Sequence, residues 1–209
     1  MKTMIAIPAM GTVMTPFVRS LVGMKTSGDI EYAFTDSSLV YDARNNLAMK
    51  AVNEGFDRVL WLDTDMQFDS DLFERLSARL DEGLDFISGL YFTRRPPNIH
   101  PVIYEALMVG EDENGQRTPK AYAMNEYPRD SLFEVAATGF GVCMMTTKLL
   151  KEVGDKYGLP FSPVMGFGED FSFCMRVADM GGHMWCDSSI KAGHIGSFVY
   201  DERSHGRLT

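Results

Sequence analysis

Short apolar runs alternate with amphipathic runs through residues 1–90, which leaves few folds open to this chain. The apolar runs have the length of buried strands, and the amphipathic runs repeat apolar residues at helical spacing. They predict strands over Thr3–Pro8, Ile30–Thr35, Arg58–Leu62 and Phe86–Leu90, separated by helices over Thr15–Met24, 39–52 and Leu72–Leu80. This order predicts an α/β fold with a mostly parallel central sheet flanked by helices. Its ligand crevice should lie beyond the carboxyl ends of the strands.

The second half of the chain is less regular. Residues 96–130 contain five of the nine prolines and the polar stretch Glu111–Arg117, which predicts a small β excursion. Its hairpin turn is expected at Glu113-Asn114-Gly115. Further strands are predicted over Phe133–Thr138, Val142–Thr146 and His183–Cys186, and helices over Lys148–Tyr157 and Phe171–Met180.

Composition excludes several classes of protein. Twenty Lys and Arg against twenty-nine Asp and Glu give a net charge of -9, so we expect no broad nucleic-acid-binding face. Cys143, Cys174 and Cys186 form no CxxC pair, which predicts buried thiols. Pro8 and Gly11 interrupt the first apolar run, and no other stretch approaches a membrane span. We therefore expect a cytoplasmic protein without a membrane span.

The sharpest chemical signal is Val59–Asp65, a buried strand that ends in two aspartates. Side-chain direction in a strand has period two, so Asp63 and Asp65 can face the same side. Two hard oxygen ligands there suit Mg²⁺ or Mn²⁺ carrying a diphosphate. Alternatively these acids cap the next helix, but Asp71 with Glu74 already fits the pattern of a capping pair there. We therefore favour metal or substrate binding.

Two more segments carry candidate chemistry. Gly166–Asp170 precedes a helical stripe, where the helix dipole favours carboxylates and should keep them ionised. The glycines also allow a ligand to approach closely, so a general base fits as well as a helix start. His194 lies between Gly193 and Gly196, after the last predicted strand. It fits either a structural histidine or a metal ligand, and the acidic segments favour the ligand.

In chain order, these pieces resemble the GT-A glycosyltransferases of the broad family-2-like kind, which use nucleotide-sugar donors. The matching segments are Ile5-Ala6-Ile7-Pro8, Ala43-Arg44-Asn45, Leu60–Asp65, Thr138-Gly139-Phe140-Gly141, Gly168-Glu169-Asp170 and His194. The resemblance implies a single GT-A (Rossmann-like) domain over residues 1–209. Residues 1–95 would form the nucleotide-sugar-binding half, 96–197 the acceptor-binding half and 198–209 a tail or lid.

The resemblance also implies a role for each matched residue. The donor nucleotide would contact Pro8, Ala9, Asp36, Arg44 and Asp63; the metal ligands would be Asp63, Asp65 and His194; the acceptor would contact Gly139, Phe140 and Glu169. Asp170 would deprotonate the acceptor hydroxyl in an inverting enzyme. The metal, Mn²⁺ or Mg²⁺, would neutralise the leaving diphosphate. Retaining GT-A enzymes share the aspartates and the histidine, so the stereochemical outcome stays open.

Several of these residues have an ordinary structural alternative. Arg44 also fits a solvated charge on a helix. Gly139 fits a bend between two strands, and Phe140 fits a core residue. Arg94 and Arg95 follow the fourth strand, where they could meet a phosphate or lie in an exposed loop.

The expected function is metal-dependent transfer of a sugar from a UDP- or GDP-linked donor to a hydroxyl acceptor. A glycan, a protein, a small molecule and a modified nucleobase are all open as the acceptor. A haloacid-dehalogenase-like, Mg-dependent phosphatase is the strongest rival, because it too uses two aspartates at a strand end. Its motif normally ends the first strand, whereas two strand-helix units precede Asp63. A non-catalytic nucleotide-sugar-binding or glycan-binding module is the third possibility.

Overall fold

A computed structural model describes residues 1–9, 11–94, 96–111, 113–196 and 199–202. Over these ranges it contains twelve strands and five helices. The strands are β1 Lys2–Ala9, β2 Asp29–Asp36, β3 Arg58–Leu62, β4 Met66–Phe68, β5 Phe86–Leu90, β6 Ile103–Glu111, β7 Arg117–Ala123, β8 Leu132–Val135, β9 Ala137–Thr138, β10 Val142–Thr146, β11 Met184–Ile195 and β12 Val199–Tyr200. The helices are α1 Thr15–Gly23, α2 Val40–Asn53, α3 Leu72–Asp81, α4 Thr147–Tyr157 and α5 Glu169–Asp179.

A large, mostly parallel sheet forms the centre of the molecule, which confirms the predicted fold class. Its strand order is β12-β11-β5-β10-β3-β1-β2, with β4 and β8 also paired to β11. Strands β2, β1, β3, β5 and β11 run in one direction, and β10 runs against them between β3 and β5. Every residue of β3 and β5 is buried, as expected where helices cover both faces of a sheet. The carboxyl ends of the five parallel strands meet at one edge.

Helix α2 brings a charged residue to that edge. It follows β2, so its first turns lie near the carboxyl ends of the strands. Small apolar residues, Ala43, Ala48 and Ala51, are buried on the face that packs against the sheet. They let the helix approach β1 closely. Arg44 follows Ala43 and is carried into the interior with it.

An aromatic cluster fills the space between the sheet and α5. Phe161 and Phe173 stack with ring centroids 4.9 Å apart, and Phe140 meets both rings edge-on at 5.5 Å and 5.3 Å. Trp61, from β3, lies 5.2 Å from Phe161. Edge-to-face and stacked pairs of this kind add to the stability that burial alone provides. Trp61 and Phe140 of this cluster pack against Arg44 of α2.

The predicted β excursion is present as a three-stranded sheet of order β7-β6-β9. Strands β6 and β7 form the expected hairpin, and Gly115 takes a positive φ of 74° in its turn. The strand predicted over Phe133–Thr138 is divided between two sheets, because β8 pairs with β11 and β9 pairs with β6. The backbone N–H of Ala136, between them, donates to the carbonyl of Tyr104 at 2.9 Å.

Strand β11 differs most from the sequence prediction. A short strand was expected over His183–Cys186, whereas the structure extends it over Met184–Ile195. The polar residues Asp187 and Ser188 interrupt the apolar pattern but are buried. Asp187 forms an ion pair with Arg79 at 2.8 Å, and Ser188 Oγ donates to a backbone carbonyl at 2.6 Å. Such distant partners make burial of polar groups tolerable, and they leave no local signal in the sequence.

The longer β11 changes the position of His194, which lies inside this strand rather than after the last one. Strand β4 was also not predicted, and it pairs with β11 opposite His194. Of the expected tail or lid, 198–209, only residues 199–202 lie among those described. There β12 pairs with β11, and Glu202 forms ion pairs with Arg129 and Lys191.

The cysteines and the helices each bear on an expectation drawn from composition. Cys143, Cys174 and Cys186 are buried and form no disulfide, as predicted. Within the described ranges, none of the helices combines the length and the apolar character that crossing a membrane requires.

Close packing at Gly139 generates a stability prediction. A Cβ there would collide with Tyr91 Oη and lie 2.8 Å from Val102 Cγ1. The tyrosine hydroxyl is held in place because it accepts a hydrogen bond from the N–H of Gly141 at 3.1 Å. We expect Gly139→Ala to lower the free energy of unfolding by about 2 kcal/mol, measured by urea denaturation.

The same denaturation series contains a control and a test of the cause. Gly23→Ala, with no atom within 4 Å of the added Cβ, should leave stability unchanged or raise it slightly. Adding Tyr91→Phe should recover part of the loss caused by Gly139→Ala, because the colliding oxygen is removed. Strictly additive losses in the double variant would contradict this explanation.

Candidate functional site

A cleft of about 420 Å³ opens at the carboxyl edge of the sheet, where doubly wound folds bind their ligands. Six of the residues expected at the site line it: Pro8, Ala9, Arg44, Asp63, Asp65 and Glu169. A larger cavity of about 500 Å³ lies between β4, β11 and β12 and contains none of the expected residues. The concentration of charged groups therefore identifies the smaller cleft as the candidate site.

Arg44 lies at the bottom of the cleft and is only 2% exposed. Its Nη2 donates to Asp63 Oδ1 at 2.8 Å, and its Nε donates to Glu169 Oε1 at 3.2 Å. The guanidinium lies 5.6 Å from the ring of Trp61 and 5.5 Å from that of Phe140. Burial lowers the pKa of Arg44, but Asp63 and Glu169 raise it more, so the side chain stays charged. Arg44 is thus a buried link between β3 and α5, not a solvated charge.

Asp63 is held by its backbone as well as by Arg44. Its N–H donates to the carbonyl of Gly141 at 3.0 Å, and its own carbonyl accepts from Met66 N at 3.2 Å. Burial and the charge of Asp65 raise the pKa of Asp63, and Arg44 opposes them. The side chain is therefore fixed towards Arg44 at the start of the turn after β3.

Asp65 faces the same cleft but has different partners. Its Oδ2 lies 2.7 Å from Arg94 Nη1 and 3.5 Å from His194 Nε2. Its Oδ1 is buried and has no hydrogen-bond partner within the described part of the chain. Burial raises the pKa of Asp65, but His194 and Arg94 together lower it below its ordinary value. Asp65 is therefore an ionised carboxylate whose charged contacts converge on Oδ2, while its buried Oδ1 has none within the described residues.

The orientation of His194 is set by a backbone group. Its Nδ1 lies 2.9 Å from the carbonyl of Phe92, and a carbonyl can only accept, so this nitrogen carries a proton. Its Nε2 then either donates to Asp65 as part of an imidazolium or offers a lone pair to a cation beside Asp65. His194 reaches this edge because β11 runs parallel to β5.

Glu169 and Asp170 form the first turn of α5, after the N-cap residue Gly168. Asp170 Oδ1 accepts a hydrogen bond from the N–H of Phe171 at 2.8 Å. Burial, reinforced by the charge of Glu169, nevertheless raises the pKa of Asp170 to about 6. The helix terminus alone would have favoured the ionised form, and burial outweighs it. A carboxylate of this pKa is a stronger base than an ordinary aspartate and is still mostly ionised at pH 7.

The remaining expected residues do not line the cleft. His194 adjoins it through Asp65, and Asp170 follows the lining residue Glu169 in α5. Asp36 is exposed at the end of β2 and does not line the cleft, although its neighbour Ser37 does. Gly139 is buried against Tyr91, and Phe140 is 1% exposed within the aromatic cluster, with no free ring face for a sugar. Gly139 is therefore explained by its close packing against Tyr91, and Phe140 by its packing against the Arg44 guanidinium.

The alternative of helix capping is not supported for the acidic pair after β3. Asp71 occupies the N-cap position of α3, yet its side chain makes no capping hydrogen bond. Asp63 and Asp65 are likewise not caps, because their carboxylates pair with Arg44 and Arg94. Asp63 and Asp65 lie in one cleft, as their spacing of two residues predicts, but they have separate partners.

The expected three-residue metal site is not assembled. In the residues that the structure describes, no three His, Cys, Asp or Glu side chains are grouped closely enough to hold a metal ion. Asp63 is turned to Arg44, whereas Asp65 and His194 face each other. Asp65 Oδ2 and His194 Nε2 lie 3.5 Å apart, and a carboxylate oxygen and an imidazole nitrogen are both ligands that Mn²⁺ accepts, so this pair fits a divalent cation.

Arg94 was expected to meet a phosphate or to lie in an exposed loop, and its pairing with Asp65 was not predicted. Its Nη1 binds Asp65 and also donates to the carbonyl of Ile195 at 2.7 Å. Thr12 and Ser37 line the cleft as well and were not predicted. Their positions could have indicated them, because Thr12, Ser37 and Arg94 each follow the carboxyl end of a parallel strand.

Comparison with known proteins establishes the fold. No protein-family model and no curated protein sequence matches this chain. Among solved structures, the chain is similar to A197 from STIV, with a TM-score of 0.66 and 23% identity over 94% of this chain and 86% of that one. It is also similar to GalNAc-T7 with UDP, GalNAc and Mn²⁺, with a TM-score of 0.64 and 12% identity.

The second likeness covers 93% of this chain but only 43% of the GalNAc-T7 chain. Because both identities are low, these likenesses show the fold alone. GalNAc-T7 is a GT-A glycosyltransferase, so the fold is GT-A-like, as the family resemblance implied.

The buried link at Arg44 generates a second stability prediction. Arg44→Met would leave Asp63 and Glu169, 32% and 15% exposed, without their shared counter-charge. We expect the free energy of unfolding to fall by about 3 kcal/mol, the lower end for a broken buried ion pair because both carboxylates retain some solvent. Chemical denaturation at pH 7 measures the loss.

A surface ion pair provides the control for Arg44→Met. Lys151 and Asp155 are both largely exposed and lie four residues apart on α4. Lys151→Met should therefore cost no more than about 0.5 kcal/mol. A loss for Arg44→Met as small as that of the control would show that the buried pair contributes little to stability.

The raised pKa of Asp170 predicts a pH dependence of stability. Because the folded state disfavours the ionised form, it loses stability as the pH rises from the ordinary pKa of 3.8 through about 6. Asp170→Asn does not titrate, so its stability relative to the parent should increase over this range and level off above pH 7. The pKa difference corresponds to at most about 3 kcal/mol. Unfolding at a series of pH values would detect it, and a constant difference would disprove the shift.

Proposed function

We propose that this chain is a metal-dependent glycosyltransferase that moves a sugar from a UDP- or GDP-linked donor to a hydroxyl acceptor. The charge balance of the cleft carries the proposal. Three carboxylates line it, Asp63, Asp65 and Glu169, against the two guanidinium groups of Arg44 and Arg94. A fourth carboxylate, Asp170, follows Glu169 in the first turn of α5. A nucleoside diphosphate is itself an anion, so its binding in such a cleft requires a further cation.

The donor side of the proposal rests on the carboxyl ends of the first two strands and β3. Pro8 and Ala9 provide an apolar wall for a nucleobase, and Thr12 and Ser37 provide hydroxyl groups in the same cleft. Asp36 would reach the nucleotide only from the exposed rim. The likeness to a GT-A structure solved with UDP and Mn²⁺ supports this placement at the level of the fold.

Asp65 and His194 are the residues that would hold the Mn²⁺ or Mg²⁺. Phe92 fixes the imidazole so that Nε2 faces the Asp65 carboxylate, whereas the Asp63 carboxylate is turned to Arg44. When bound, the ion would supply the positive charge that stabilises the departing diphosphate.

The acceptor side of the proposal rests on α5. Asp170 would accept the proton of the acceptor hydroxyl in an inverting reaction, for which its pKa of about 6 is well suited. Glu169, held by Arg44, would orient that hydroxyl. Residues 1–95 would then bind the donor and 96–197 the acceptor, with a glycan, a protein, a small molecule or a modified base as the acceptor.

The phosphatase alternative fits this cleft less well. A phosphatase of that kind needs the first aspartate of the pair as a free nucleophile. Here the Asp63 carboxylate is engaged by Arg44 at 2.8 Å, and the neighbouring Asp65 is engaged by Arg94. A pure binding module would use the same cleft but would not require a base of raised pKa.

Calorimetry with UDP and GDP, each with and without Mn²⁺, tests the proposal. We expect one nucleotide to bind at least about tenfold more tightly when Mn²⁺ is present, because the cation offsets the acidic cleft. Asp65→Ala should remove this dependence. Asp69→Ala, at an exposed position outside the cleft, makes the same charge change and should keep it.

Turnover distinguishes an enzyme from a binding module. The parent should consume the nucleotide sugar in the presence of Mn²⁺, whereas Asp170→Asn should bind the nucleotide and lose at least about 100-fold in turnover. The absence of any metal-dependent nucleotide binding would overturn the proposed function. Binding without consumption of any UDP- or GDP-sugar would favour the module.

A further inference from the structure

Arg94 occupies the place beside Asp65 that a divalent cation would need. Its Nη1 lies 2.7 Å from Asp65 Oδ2, the same oxygen that faces His194 Nε2 at 3.5 Å. A guanidinium and a divalent cation repel each other strongly when they share one carboxylate oxygen. One of them must therefore leave for the other to bind.

Asp65 and His194 are each held in place by contacts that do not involve Arg94. The carbonyl of Asp65 accepts from the N–H of Ile195 at 2.7 Å, and its Oδ1 is buried. The ring of His194 is held by the Phe92 carbonyl and lies edge-on to Tyr91 at 5.6 Å. The pair that fits a cation therefore has little freedom to move away from Arg94.

Arg94 has much more freedom. Its side chain is 44% exposed, and its hydrogen bond to the carbonyl of Ile195 uses the same Nη1 that contacts Asp65. A single movement of that nitrogen releases both contacts. Arg44 is the opposite case, since it is buried between two carboxylates and two aromatic rings. Of these two cations, Arg94 is the one that can exchange.

Arg94 also lines the candidate donor cleft, so a released guanidinium stays within reach of a ligand there. We propose that Arg94 is an exchangeable counter-ion, which neutralises Asp65 while the cleft is empty and moves to the donor diphosphate when a divalent cation binds Asp65. A guanidinium suits the second position because it can bind phosphate oxygens through two parallel hydrogen bonds. The second half of this inference rests on the proposed function, and the first half does not.

Titration with Mn²⁺ alone tests the first half, with free Mn²⁺ measured by electron paramagnetic resonance. Arg94→Gln should bind Mn²⁺ about tenfold more tightly than the parent, because the competing charge is gone. Arg117→Gln removes an exposed arginine on the β6–β7 hairpin and should stay within about twofold of the parent. Asp65→Ala should bind no Mn²⁺ at this site. Thermal unfolding of each variant checks that it is folded.

Titration with UDP or GDP at saturating Mn²⁺ tests the second half. Arg94→Gln should bind the nucleotide about tenfold more weakly than the parent, even though it binds Mn²⁺ more tightly. Arg94→Lys keeps the charge but loses the paired donors. It should therefore bind Mn²⁺ much as the parent does and bind the nucleotide with intermediate affinity.

Each possible failure has a separate meaning. Equal Mn²⁺ affinity in the parent and Arg94→Gln, or no Mn²⁺ binding in either, overturns the competition at Asp65. Unchanged nucleotide affinity in Mn²⁺-loaded Arg94→Gln overturns the movement to the diphosphate. Tighter Mn²⁺ binding in Arg94→Gln without any UDP or GDP binding in the parent supports the competition and overturns the proposed donor.

Discussion

The buried ion pairs of Arg44 hold the candidate site together. A guanidinium that is 2% exposed is tolerable only if its charge is neutralised. Asp63, after β3, and Glu169, at the start of α5, meet that requirement from two distant parts of the chain. Trp61 and Phe140 pack against the same group. The position of one side chain thus fixes the distance between the proposed donor and acceptor sides.

The two arginines of the cleft have contrasting physical roles. Arg44 is enclosed and paired, so its charge is part of the fold. Arg94 is partly exposed, and its described contacts converge on one nitrogen, so its charge can be redistributed. Under the proposed function, the fixed cation would hold the fold together while the exchangeable one makes room for a divalent ion and a diphosphate.

Much of the architecture is predictable from local patterns. The apolar runs of β1, β3 and β5 are continuous, as is typical of strands covered on both faces, and the stripe of α2 repeats at helical spacing. Neither pattern requires knowledge of distant partners. The spacing of Asp63 and Asp65 places both at one strand end by the same logic. Local patterns do not predict the full length of strand β11. The polar residues in its middle are tolerated in the interior because they have partners elsewhere in the chain, such as Arg79.

Local sequence therefore predicts the parallel sheet, its carboxyl edge and the acidic residues that reach it. The pairing of those acids depends on contacts between residues far apart in sequence: Arg44 lies 19 residues from Asp63 and 125 from Glu169. It also depends on burial, which raises the pKa of Asp170 at a helix terminus that would otherwise favour its ionised form. Periodicity reports which face of an element is buried, whereas a charge finds its partner and its pKa only in the folded environment.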